Sequence, residues 1–192
     1  MKTLKYFFIT ISLSLFATFS ITGQNEKNIT SSNVYIAGTT NIGSWDCTNI
    51  ESEGTIEIET VDDGQAINSL EITIPVKEFT DCTPPAGPSS GQESAVHKNL
   101  KAEEHPYITF KLTNTHPYPF HDEAYLYGEL KVAGESRNIQ AKVQFRNNGD
   151  TSIISGKKEL SMKEFDIDPP TGLFGVIRSR EEVDVEFEFT FE

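Results

Sequence analysis

The sequence predicts an all-β domain of antiparallel strands, a sandwich or a barrel, and three observations carry this. Apolar and polar residues alternate with period two over several stretches, tight-turn residues separate those stretches, and one segment alone departs from the pattern.

The alternation is plainest at the C-terminus, where Val183, Val185, Phe187, Phe189 and Phe191 interleave with Asp184, Glu186, Glu188, Thr190 and Glu192. One face of that strand is oily and the other acidic. The same spacing recurs at Ile56 and Ile58, at Leu70, Ile72 and Ile74, at Ile108, Phe110 and Leu112, and at Ile139, Ala141, Val143 and Phe145. Asp62-Asp63-Gly64, Ala133-Gly134-Glu135 and Asn147-Asn148-Gly149-Asp150 supply residues that accept positive φ in hairpin turns. The departure is 94–104, where Ala95, Val96, Leu100 and Ala102 lie among His, Lys and Glu. With Ser94 as N-cap and Pro106 just beyond, it predicts one short helix lying across the sheet. The stretch from Cys82 to Gly91 has loop composition, with three prolines, two glycines and two serines.

A chain of 192 residues with 36% hydrophobic side chains fits one domain. Its 13 Phe and 6 Tyr argue against disorder. A formal net charge of −13 repels phosphate backbones and anionic lipid surfaces, which are bound through Lys and Arg that displace counterions, and makes nucleic acid a poor partner. Residues 1–23 differ from the rest: Lys2 and Lys5, an apolar run to Phe19, then Ser20-Ile21-Thr22-Gly23. That is the layout of a cleaved secretory signal peptide, its run shorter than the ~20 residues that span a bilayer, with an uncleaved anchor as the alternative. The expected organisation is signal peptide 1–23, a flexible segment 24–32 and a folded domain 33–192. The mature chain would have no integral membrane segment and would be periplasmic or secreted in a bacterium. Export permits a disulfide, and pairing Cys47 with Cys82 would close a loop of about 35 residues. Free thiols and a metal pair are the alternatives. No CxxC spacing or nearby His supports metal, and the disulfide is expected.

Three segments resemble the YceI-like polyisoprenoid-binding family. Leu100 to Leu112 is similar to that family's helix end running into a P-x-I-T-F strand, here Pro106-Tyr107-Ile108-Thr109-Phe110. Gly128 to Arg137 is similar to its G-x-L-x-I-x-G-x-T-K/R hairpin, and Leu160 to Ile167 to its L-x-x-x-D-F/Y-G-I segment. The chain departs at Asp166, where the family has Gly, and at Glu164, where it has Asp. The resemblance implies a lipocalin-like antiparallel eight-stranded β-barrel with one short helix. It also implies a long-chain apolar lipid, polyprenyl or quinone-type, sequestered or carried without chemical change, so no enzyme activity and no required cofactor.

An eight-stranded barrel can enclose one slender ligand, and its lumen takes every second residue of each strand. Pattern alone favours a dry core; the resemblance turns the expectation to a cavity. The apolar lining expected is Ile58, Leu70, Ile72, Ile74, Ile108, Phe110, Leu112, Ile139, Val143, Phe145, Val185, Phe187 and Phe189. Leu173 and Phe174 are added from the loop the family places near its tunnel mouth, as a gate or as a plug.

Other readings are weaker. Gly87-Pro88-Ser89-Ser90-Gly91 fits the G-x-S-x-G string of serine hydrolases, but Pro84 and Pro85 precede it where a buried strand should be. His97, His105, His116 and His121 fall in one region, and the loop from His116 to His121 could hold a metal; its prolines point instead to an exposed connection. Tyr125, Tyr127 and Glu129 could equally make the face of a homodimer. A ligandless stress-related or protein-interaction domain is the remaining alternative to lipid binding.

Overall fold

Strands leave hydrogen-bonding edges, and in the computed structural model of this chain, which describes residues 26–62, 64–85 and 91–192, closure removes most of them. The elements in order are β1 (Glu26–Thr40), β2 (Ser44–Asn49), β3 (Glu53–Val61), β4 (Gly64–Pro75), β5 (Thr80–Thr83), α1 (Gln92–Asn99), β6 (Tyr107–His116), β7 (Glu123–Val132), β8 (Glu135–Asn147), β9 (Ser152–Ser161), β10 (Thr171–Gly172) and β11 (Ile177–Phe191). Strands β1, β3, β4, β6, β7, β8, β9 and β11 pair in that order, all antiparallel, and β11 returns to β1. The result is an eight-stranded barrel with one helix, the choice between sandwich and barrel falling as the family resemblance implies.

The closure depends on a kink. Strand β1 pairs with β3 through Glu26–Asn28 and with β2 through Val34–Thr39, so β2 and β3 together form one bent partner strand. At the bend, buried Asn49 donates from Nδ2 to Pro75 O at 2.9 Å and accepts from Glu51 N at 3.0 Å and Ser52 Oγ at 3.2 Å. Ser52 N donates in turn to Ser32 Oγ at 2.9 Å. A bend leaves backbone groups without ladder partners, and these side chains take them up. Strand β5 extends the sheet beyond β2, where the disulfide between Cys47 and Cys82, both buried, ties the two together.

The three expected turns join β3 to β4, β7 to β8 and β8 to β9. Positive φ occurs where the sequence indicates it, at Asp62 (53°), at Ala133 and Gly134 (50° and 93°) and at Gly149 (91°). Two expectations need correction. Residues 26–32 are not a flexible lead but the first half of β1. Their polar composition hides a strand whose order comes from pairing to β11 and β3 and from Lys27, whose Nζ donates to Asp150 O and Ser152 Oγ, both at 3.0 Å. The helix spans Gln92–Asn99 rather than 94–104. Gly91, at φ 95°, makes the N-cap in place of Ser94, and Leu100 to Glu104 form turns in which Leu100 N donates to Val96 O. A glycine that can take a left-handed conformation redirects the chain out of the proline-rich loop three residues earlier than a serine cap would.

Inward residues of the strands, with Phe120 from the β6–β7 connection, fill one end of the barrel. Ile56, Leu70, Phe120, Phe145, Ile154 and Phe191 are almost fully buried there, and the Phe120 and Phe145 rings meet edge to face at 5.2 Å. At the other end the packing differs. The β8–β9 ladder stops at Val143 and Gly156, and the 3-10 turn Met162–Phe165 buries Met162 and Phe165 at the place where the two strands part.

Candidate ligand cavity

At that second end lies a cavity of about 450 Å³. Its walls are the upper inward positions of the strands: Val34 and Ile36 of β1, Trp45 of β2, Ile74 of β4, Ile108 of β6, Leu130 and Val132 of β7, Leu160 of β9, and Val183 and Val185 of β11. Its cover is Phe79, Val96 and Leu100 on one side and Met162, Phe165 and Ile167 on the other. Period-two alternation puts the wall residues inside a closed barrel, and the helix and turns supply the cover. Polar groups are confined to Thr40, Gln92, Asn99, Ser161, Thr171 and Ser179 among the lining residues. The carboxylates and amines whose pKa values are displaced sit elsewhere, in exposed ion pairs. One is Glu123, held below its usual range by hydrogen bonds from Lys142 and Gln144; another is Lys157, held above its own by Glu186 and Asp184.

Trp45 is the exception within this apolar wall. Its indole lies over Gly38, its cross-strand partner, and fills the space a side chain there would take. Its Nε1 is buried and is the one such side-chain polar atom without a hydrogen-bond partner among the described residues. A buried indole N–H usually has an acceptor.

The expected lining residues divide by height. Ile74, Ile108 and Val185 line the cavity. Ile58, Leu70, Ile72, Val143, Phe145 and Phe189 are buried in the core, while Phe110, Leu112, Ile139 and Phe187 are half-buried against it. Among the described residues the lumen is therefore a cavity at one end, with core side chains filling the other. Phe174 is not in the lumen: it is fully exposed, and neither plugs the barrel nor covers the cavity. The side chain of Leu173 lies outside the described residues, as do residues 1–25 with the signal-peptide segment and residues 86–90 with the Ser89 of the G-x-S-x-G string.

The residues missed by sequence reading are mostly aliphatic side chains of β1, β7 and β9 and the turn from Met162 to Ile167. That turn was visible as part of a motif, but nothing in its composition says that it faces a cavity. The histidines do not gather. His97 Nε2 lies 3.0 Å from Phe79 O, the His105 ring packs over Gly134, and His116 and His121 are exposed at the opposite end of the barrel from the cavity. Among the described residues no three His, Cys, Asp or Glu side chains converge, and no helix is long and apolar enough to cross a membrane.

A family profile described as YceI-like domain matches residues 17–191. In structure the chain is similar to BcnA of Burkholderia cenocepacia, with a TM-score of 0.63 and 17% identity, covering 83% of this chain and 95% of that one. It is also similar to the YCEI protein of Campylobacter jejuni, with a TM-score of 0.55 and 13% identity over 80% and 84% of the two chains. No curated protein sequence matches it.

Proposed function

The chain belongs to the YceI-like domain family, and from that premise we propose that it is an exported carrier or store of a long-chain isoprenoid lipid, held in the cavity without chemical change. The observation that carries this reading is an apolar cavity of about 450 Å³ at one end of a barrel whose other end is closed. That volume falls within the ~300–1,000 Å³ of small-molecule sites. Each methylene taken from water into it would contribute about 0.8 kcal/mol, so part of a polyprenyl tail binds without any polar anchor.

A cavity of this kind holds one end of a long lipid and leaves the remainder at the mouth. The disulfide and the signal-like layout of residues 1–23 support export.

Organic extraction of protein purified without detergent, followed by mass spectrometry, tests the reading. A polyprenyl or isoprenoid-quinone species near one per chain is expected. An empty protein that also takes up no such lipid on incubation would refute it.

A further inference from the structure

The cavity wall is not made of strands all the way round. Strands β7 and β9 both line it, through Leu130, Val132 and Leu160, but among the described residues β8, which lies between them in the barrel, contributes nothing to the lining. The pairing explains this. β8 stays on β7 from Glu135 onward and β9 stays on β11 as far as Ser161, yet the two pair with each other only between Val143–Gly156 and Asn147–Ser152. On the cavity side of Val143 and Gly156 each keeps one partner and loses the other, which leaves a slot in the barrel wall.

The slot is filled by the turn that follows β9. It folds back against β8, and its buried Met162 and Phe165, with Ile167 just after, supply the lining that β8 does not. This turn is fastened only to itself. Ile167 N donates to Met162 O at 3.0 Å, Asp166 N to Lys163 O at 3.2 Å, and Lys163 Nζ to Asp168 Oδ1 at 2.6 Å across its exposed side. Among the described residues no hydrogen bond or ion pair joins 162–168 to β8. Paired strands are held by directional backbone bonds and this panel by side-chain packing alone, so it opens at lower cost than the strands beside it. Its two ends suit the motion. Ser161 leaves β9 in the extended conformation and Asp166 ends the turn at φ 53°, which gives a hinge residue on either side. The shape of an apolar chain supplies a use for such a panel. A chain longer than the cavity has to be threaded end-on through a mouth, whereas a slot in the wall admits it broadside.

We propose that the turn from Met162 to Asp166 is a side gate, which swings out of the slot between β8 and β9 and lets an apolar chain pass laterally through the barrel wall. The natural passenger rests on the lipid reading above; the gate is tested with a dye, so the two fail separately.

Stopped-flow uptake and release of N-phenyl-1-naphthylamine, a neutral apolar dye, are compared in wild type and in a Lys163→Gly, Glu164→Gly variant. Both residues are exposed and neither lines the cavity, so the change loosens the gate and leaves the lining in place. The variant is expected to take up and release the dye about fivefold or more faster, both rates rising together and Kd staying within about twofold. A turn that only supports the fold would change Kd or stability without raising both rates. Maleimide labelling across a urea series gives the second measurement, on Met162→Cys and, separately, on Ile154→Cys in the packed end. The native cysteines are paired, so each variant carries one reactive thiol. The thiol at position 162 is expected to react without urea at a rate that urea hardly changes, as local opening requires, and the one at 154 only as the whole fold opens. Equal dye rates in the two proteins, no dye uptake by either, or a thiol at 162 as protected as that at 154 overturns the proposal. Faster exchange in the variant although extraction finds no isoprenoid lipid upholds the gate and removes the carrier reading.

Discussion

Gly38 and Trp45 face each other across the β1–β2 ladder, and the indole lies so close that a Cβ built on the glycine would fall 2.5 Å from Cε2 and Cζ2 of the ring. Strand glycines normally weaken a sheet; here the missing side chain is the seat for the ring. Gly38→Ala is expected to push the indole from its seat and to destabilise the fold by about 1–3 kcal/mol, as overpacking of a filled site does. Urea unfolding and the emission maximum of this single tryptophan check it. An unchanged spectrum with unchanged stability would contradict the seating.

Asp166 closes the turn from Met162 to Phe165 at φ 53°, with its amide donating to Met162 O or Lys163 O. Aspartate accepts the left-handed region better than most residues, but glycine accepts it without steric cost. Asp166→Gly is expected to raise stability by about 0.5 kcal/mol, the gain reduced by the freer unfolded chain. Chemical denaturation that shows a loss would place a further role on the carboxylate. The family resemblance has glycine at this position, and the dihedral angle supplies the physical reason.

The disulfide holds β5 to β2 at the side of the barrel that carries Trp45. Replacing Cys47 and Cys82 together by Ala should cost about 2–4 kcal/mol, from the entropy regained by a 35-residue loop in the unfolded chain. Reduction of the wild type should match the double variant in thermal unfolding. A reduced protein as stable as the oxidised one would show that the β2–β5 pairing holds without the bond.

Val185→Phe places a ring in the cavity from β11. Lipid recovered on extraction should fall several-fold while stability changes by less than about 1.5 kcal/mol, since the added volume enters empty space rather than filled core. Equal recovery from the variant would mean that the lipid sits elsewhere.

Much of this was legible in the sequence, and the limits have physical causes. Alternation in Val183–Phe191 gives the inward face of β11 correctly because period two depends only on the pleat. It does not tell height along the barrel axis. Val185 therefore lines the cavity and Phe189 plugs the core, though both obey the same pattern. The hairpin at Ala133 and Gly134 was readable because its chemistry is local, whereas residues 26–32 were not, since neighbours more than a hundred positions away impose their order. Phe174 was placed at the barrel mouth by the family resemblance, as a gate or a plug, and no local pattern tells that its ring is turned fully to water.

Trp45 offers the most direct test, because the one tryptophan of the chain lines the cavity. Its fluorescence is to be followed on titration with isoprenoid quinones of increasing tail length, for wild type and for Val185→Phe. Saturable quenching is expected in wild type, with affinity rising steeply per added methylene, at most about fourfold each, until the cavity is full, and with weak quenching in the variant. Quenching that does not saturate, or that is the same in both proteins, would contradict a ligand in the barrel.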